Sequence, residues 1–157
     1  MIDEIDRELV SLLQTDARLS NAALAEKVGL TTSSVHERVK RLEKKGIIKR
    51  YVAVVDAEAL GKPVIAFIRL TVGSASTDYL EAKNSVLGIC RDEPDVLECH
   101  AVAGEDCYIL KVRAPSPGAL EKLIERIRCK AQVSRTTTSI VLSTLKETTQ
   151  VIPAEGD

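Results

Sequence analysis

The sequence predicts an α+β protein of two parts: a winged helix-turn-helix over residues 1–52 and a ferredoxin-like βαββαβ domain over residues 63–149, joined by a hinge at 53–62 and followed by a flexible tail at 150–157. Three observations predict it. Apolar residues recur at helical spacing in three short segments before Gly46, each opened by a capping residue. Charge reverses along those segments, from three basic and six acidic side chains in residues 1–30 to seven basic and two acidic in residues 31–50. Beyond Pro63 the pattern changes to β-branched, alternating runs separated by two helical stretches.

Asp3 is the expected cap of a first helix in which Ile5, Leu9, Leu12 and Leu13 share one side and Glu4 and Asp6 lie in the first turn, where the helix dipole favours acids. It should end near Asp16. Ser20 caps the short segment NAALAEKV, which Gly29 stops. Thr31 or Thr32 caps a third helix whose Val35, Val39 and Leu42 form a buried stripe and whose other face is polar and basic. After Gly46, the stretch with Ile47, Ile48, Tyr51, Ala53 and Val55 reads as a short wing hairpin carrying Lys49 and Arg50, and DAEALGK as the hinge.

Downstream, PVIAFIRLTV reads as a strand and TDYLEAKNSVLGIC as a helix with Tyr79, Ala82, Val86 and Cys90 on one side. VLECHAVAG and CYILKVRA alternate like strands around a turn at Gly104. SPGALEKLIERI has Ser116 as cap and Leu120, Leu123, Ile124 and Ile127 as its apolar face, and TTTSIVLSTL closes as a strand. Two split βαβ units of this kind give a four-stranded antiparallel sheet with both helices on one face. Ile65, Ala66, Phe67, Ile68 and Leu70 leave apolar side chains on both sides of the first strand, so a second subunit's sheet is the expected cover and the protein a homodimer.

Composition excludes several classes. With 45% hydrophobic and 29% charged residues, the 157-residue chain can bury two small cores without disulfides. Its apolar runs are too short to span a bilayer and its acidic N-terminus is unlike a signal peptide, so a cytoplasmic location with no membrane partner is expected. Cys90, Cys99, Cys107 and Cys129 match no metal knuckle or CxxC pair, which gives free thiols, no metal and no cofactor. No nucleophile elbow, Walker-type loop or HExxH motif is present, and a non-enzyme without catalytic residues is expected.

Two helices separated by a tight turn, as in ALAEKVGLTTSSVHERVKRL, are what placing a helix in the major groove of double-stranded DNA requires. With the apolar stripe facing inward, Thr32, Ser33, Ser34, His36 and Glu37 are the expected base-edge readers, because polar side chains near the N-terminal end of such a helix can hydrogen-bond in the groove. Arg38, Lys40 and Arg41, with Lys49 and Arg50 on the wing, are expected over phosphates.

The stretch IDRELVSLLQTDARLSNAALAEKVGLTTSSVHERVKRLEKKGIIKRYVAVVD resembles the N-terminal domain of the leucine-responsive/asparagine regulator (Lrp/AsnC) family, and AGEDCYILKVRA and TTTSIVLSTLKE resemble its effector domain. The resemblance spans nearly the whole chain. It implies a transcriptional regulator built from sheet-to-sheet dimers, assembling further into octamers, with an amino-acid effector bound near the loop between the second and third strands. Carried over residue by residue, the resemblance implies an effector pocket of Val102, Ala103, Gly104, Glu105, Asp106 and Cys107 from that loop and Thr136, Thr138 and Ser139 from the last strand. Hydroxyls and loop amides can donate to a zwitterion's carboxylate, and Glu105 or Asp106 can accept from its ammonium. The chain departs from many members in having Cys107 three residues after the loop glycine, with Asp106 one position earlier.

Two rivals share this architecture. A tetrapyrrole decarboxylase of the sirohaem type resembles the same two-domain plan but needs paired histidines, and only His36 and His100 are present. A winged-helix module that binds only proteins would leave the basic helix face solvated, and would show no salt-dependent retention on DNA.

Overall fold

The computed structural model describes residues 2–72, 79–105, 107–130 and 133–154. The chain divides into two compact units, Met1–Val54 with Lys146–Asp157 and Val55–Leu145.

The first unit holds three helices, α1 (Glu4–Thr15), α2 (Asn21–Val28) and α3 (Thr32–Lys44). Each starts where a side chain can accept an orphan backbone N–H. Asp3 accepts from Asp6, Ser20 from Ala23 and Thr31 from Ser34. Gly29 ends α2 at φ 67° and ψ 31°, a left-handed conformation that a side chain would penalise, and so turns the chain tightly into α3. Leu9, Leu13, Leu24, Ala25 and Val35 form the core of the unit, with Leu12, Val28, Val39 and Ile48 packed around it.

The hairpin expected over Ile47–Val55 is not formed. The described residues from Lys45 to Pro63 include no strand, and Val52 and Val54 are 58% and 84% exposed. An isolated two-stranded ribbon is marginal in water, and this stretch has no Asn-Gly or Asp-Gly turn to close one. Asp56 to Lys62, expected as a hinge, is an ordered turn in which Asp56 accepts from the N–H groups of Glu58 and Ala59.

The second unit runs β1 (Val64–Val72), α4 (Tyr79–Asp92), β2 (Val96–Ala101), β3 (Tyr108–Ala114), α5 (Pro117–Lys130) and β4 (Val133–Ile140). This is the expected β-α-β-β-α-β order. The sheet is antiparallel throughout, in the order β2-β3-β1-β4. Ala66, Ile68 and Leu70 of β1 and Leu110, Val112 and Ala114 of β3 face a core shared with Val86 and Ile89 of α4 and Leu120, Leu123 and Ile127 of α5. Within this unit the opposite face carries Ile65, Phe67, Arg69, Ile109, Lys111 and Arg113, paired across β1 and β3. β4 stops at Ile140 rather than continuing to Leu145: Val141 still donates its N–H to the Ile65 carbonyl at 2.9 Å, but in this register Ser143 to Leu145 fall beyond Val64, where β1 begins.

The helices of the second unit are tied by Glu93, just past α4. Its carboxylate, 6% exposed, accepts from Arg126 Nη2 at 2.9 Å and Lys130 Nζ at 3.1 Å on α5. These cations, Arg126 foremost, hold the Glu93 carboxyl below the usual carboxylate range. The C-terminal segment, expected to be loose, is hydrogen-bonded to α1 through Gln14 at Gln150 and Val151.

Candidate nucleic-acid interface

α3 is fixed on its neighbours in two ways. Val35 and Leu42 are buried, and Val39 packs against the same core. The second tie is ionic. Arg38 Nη1 donates to Asp3 Oδ2 at 2.6 Å and to Asp6 Oδ1 at 2.8 Å, while Arg41 Nη2 donates to Asp6 Oδ1 and Oδ2 at 3.0 and 2.9 Å. Asp6 is 3% exposed at its side chain and Arg38 23%, so α1 carries a buried carboxylate neutralised by two guanidiniums from α3. The hydrogen bond to Arg38 lowers the Asp3 pKa, and the bonds to Asp3 and Asp6 raise that of Arg38.

Arg38 and Arg41 are two of the residues expected over phosphates. Both guanidiniums are already engaged by carboxylates. Arg41 keeps a side-chain exposure of 46% and can still face solvent. Lys40, Lys49 and Arg50 are exposed and make no ion pair with any described residue. So are Lys44 at the end of α3 and Lys45 just past it, which the expected site omitted although the charge count over residues 31–50 included them.

Opposite the buried stripe, Ser33, Glu37, Lys40 and Lys44 recur at i, i+4, i+7 and i+11 and are all exposed. This ridge puts small and polar groups toward the start of α3 and cations toward its end. Thr32 is exposed at its first turn, and Ser34, half-buried, closes the cap by donating its N–H to Thr31. His36 turns to the α2 flank, where its Nδ1 lies 3.2 Å from Asn21 Nδ2. On that flank a cleft of about 290 Å3 is lined by Leu19, Asn21, His36, Lys40, Glu43 and Tyr51 among others. Tyr51 donates to Glu43 at 2.8 Å, and burial together with that carboxylate pushes its hydroxyl pKa up to about 12.

The effector residues suggested by the resemblance are only partly brought together. Val102 N–H donates to the Cys107 carbonyl and Cys107 N–H to that of Leu70, which closes the 102–107 loop over the end of β1. Ala103, Gly104 and Glu105 are exposed, and Glu105 lies 3.8 Å from Arg135 of β4. Gly104 has a φ of 143°, open to glycine and rarely adopted by other residues. Asp106 lies outside the described residues. Thr136 is paired with Leu70 and so sits at the same end of the sheet as the loop, but its hydroxyl already accepts from Arg128 at 2.8 Å. Thr138 pairs with Ile68 on the helix-covered face and Ser139 with Phe67 on the other, so these two point to opposite sides.

The histidines fall in different units, with His100 paired to Glu98 at 3.2 Å on β2. Neither unit therefore contains the histidine pair that a tetrapyrrole site needs. Among the described residues no group of three His, Cys, Asp or Glu side chains could hold a metal, and no helix is long and apolar enough to cross a membrane.

Comparison with known proteins places both units. A winged helix-turn-helix DNA-binding family matches residues 2–49, and the Lrp/AsnC ligand binding domain matches residues 65–151. The HTH-type transcriptional regulator LrpA of Mycobacterium tuberculosis is 39% identical over 97% of this chain and 97% of its own length. The leucine-responsive regulatory protein of Escherichia coli is 32% identical over 96% of this chain and 91% of its own. Among solved structures, a feast or famine regulatory protein from M. tuberculosis complexed with L-methionine superposes with a TM-score of 0.87 at 39% identity, covering 98% of this chain and all of that one.

Proposed function

This chain belongs to the Lrp/AsnC family, and we propose that it is a sequence-specific DNA-binding transcriptional regulator that responds to a small molecule, an amino acid. The observation that carries the reading is the exposed ridge Ser33, Glu37, Lys40 and Lys44, held outward by a buried stripe and ion pairs on the other sides of α3. Thr32, Ser33 and Glu37 are the base-edge readers, with His36 beside them on the Asn21 flank. Lys40, Lys44, Lys45, Lys49 and Arg50 neutralise phosphates and set the register on the duplex. The likeness to proteins named as transcriptional regulators supports the same assignment.

The ligand arm of the proposal rests on the ligand-binding family match over residues 65–151 and on the relative whose structure holds L-methionine. Val102 to Cys107 is the segment of this chain assigned to the ligand, with Thr136, Thr138 and Ser139 on β4. Among the described residues of one chain these groups are not assembled, so a neighbouring subunit is assigned the remaining wall. A second copy packing its sheet on Ile65, Phe67 and Ile109 gives the homodimer, and dimers assemble further, into an octamer in this proposal.

Fluorescence anisotropy on DNA from upstream of the protein's own coding sequence, against random duplex, tests the reading, with a panel of amino acids that includes L-methionine and L-leucine. Salt-sensitive binding that favours the upstream DNA and is shifted by one of the amino acids is the expected result. Folded protein that binds neither DNA would overturn it.

A further inference from the structure

Four charged side chains meet along the flank of α3, and their arrangement resembles a protein–phosphate contact turned inward. Arg38 bridges two carboxylates through one nitrogen, at 2.6 Å to Asp3 and 2.8 Å to Asp6, and Arg41 places one nitrogen on both oxygens of Asp6. A guanidinium binds a phosphate through the same fork of donors that it offers a carboxylate. Two carboxylates face two guanidiniums, so this cluster adds no net charge to the DNA-facing unit. Of the seven cations between Thr31 and Arg50, two are neutralised within the chain, while Lys40, Lys44, Lys45, Lys49 and Arg50 make no ion pair with any described residue.

The two acids differ in how firmly they hold. Asp6 is almost fully buried, and without its arginines it would be an uncompensated charge in the interior. The Asp3 side chain is 51% exposed, so water and competing anions can reach its bond with Arg38.

We infer that Asp3 and Asp6 set the strength of DNA binding: they act as built-in phosphate mimics that withhold Arg38 and Arg41 from the DNA backbone, with Asp3 the exchangeable member. The physical reason lies in what backbone contacts do. They add affinity for every sequence alike and carry no base information. Holding back two guanidiniums therefore lowers binding to random and specific DNA by the same factor and makes it less sensitive to salt, while the choice of site stays with the polar start of α3. The inference rests on the reading of α3 as the DNA-contacting helix, and the test separates the two.

Asp3→Asn is the informative variant, because asparagine keeps the capping acceptor for the Asp6 N–H, now at 2.8 Å, while removing the charge. Binding to random and upstream duplexes is measured across salt for wild type, Asp3→Asn, Asp6→Asn and Asp3→Asn/Arg38→Gln, each checked for folding by circular dichroism. For Asp3→Asn the plot of log affinity against log salt on random DNA should steepen by about 0.9, one phosphate's worth. That equals roughly a three- to fourfold greater loss of affinity between 50 and 200 mM salt. Affinity at low salt should rise for random and upstream DNA alike, with the preference between them unchanged. Adding Arg38→Gln should return the slope to the wild-type value, and a folded Asp6→Asn should exceed Asp3→Asn. Wild type that binds DNA while Asp3→Asn matches it in slope and affinity overturns this inference alone, as does a gain that survives Arg38→Gln. Wild type that binds no DNA overturns the parent reading as well.

Discussion

Gln14 and Val151 meet across 137 positions of sequence: the Gln14 side-chain amide donates to the Val151 carbonyl at 3.0 Å and its oxygen accepts the Val151 N–H at 2.7 Å. A side-chain amide has the same donor and acceptor as a peptide group, so Gln14 pairs with the segment as a strand neighbour would. Gln150 adds a third bond, from its side chain to the Gln14 carbonyl. All three are solvent-exposed, and Val151 itself is 72% exposed, so the clip is weak and reversible.

Gln14→Ala should therefore release the C-terminal segment at little cost to the fold. Hydrogen exchange should show faster exchange at the Val151 amide, while the unfolding free energy changes by about 1 kcal/mol or less. Unaltered exchange at Val151 would mean that the segment is held some other way.

Leu9 sits at 0% exposure in the core of the first unit, under α2 and α3. Leu9→Ala should destabilise that unit by about 2–5 kcal/mol, read by urea unfolding, and should weaken DNA binding by loosening the structure rather than by removing charge. Its residual binding should keep the wild-type salt slope.

Glu93 gives the second unit an acid-sensitive tie. Its folded pKa is depressed, chiefly by its hydrogen bonds to Arg126, so its contribution is present in full above the unfolded glutamate value of about 4.3 and is lost as pH falls through the folded value. Glu93→Gln should cost about 2 kcal/mol near neutral pH. The gap between variant and wild type should narrow on acidification, as thermal melts across pH would record. A gap independent of pH would show that the charge of Glu93 is not what ties α4 to α5.

Much of this architecture was legible because its punctuation is local. Asp3, Ser20 and Thr31 cap the helices that their sequence positions predict, and Gly29 turns where a tight turn was required. The strand and helix order of the second unit follows from periodicity alone. The wing was not legible in the same way. A β-rich composition at Ile47–Val55 reports propensity, while a strand also needs a partner, and the described residues supply none. β4 was read too long for a related reason, since in its register with β1 the continuation from Ser143 to Leu145 falls beyond Val64.

The candidate site was half legible. A segment count of charge found the basic helix but treated its seven cations as equivalent. Two of them are spoken for by acids some thirty-five residues earlier. A signal was present: Asp3 and Asp6 stand three apart, as do Arg38 and Arg41, so each pair forms a ladder on one helix flank that can meet the other. For the ligand-binding loop, the split of Thr138 and Ser139 onto opposite sheet faces follows from strand alternation and could have been read from their adjacent numbers.

The central claim, that the outward ridge of α3 meets the DNA backbone, is tested most directly by the salt dependence of DNA affinity for wild type and Lys40→Ala/Lys44→Ala. Both lysines are exposed and free of ion pairs with described residues, so the double variant should fold and melt as wild type does. Its log–log salt slope should be shallower by about 1.8, or 0.9 for each phosphate that a lysine no longer neutralises, with affinity falling for random and upstream DNA alike. A double variant that keeps the wild-type slope and affinity would contradict the account and place the DNA-binding surface elsewhere on the molecule.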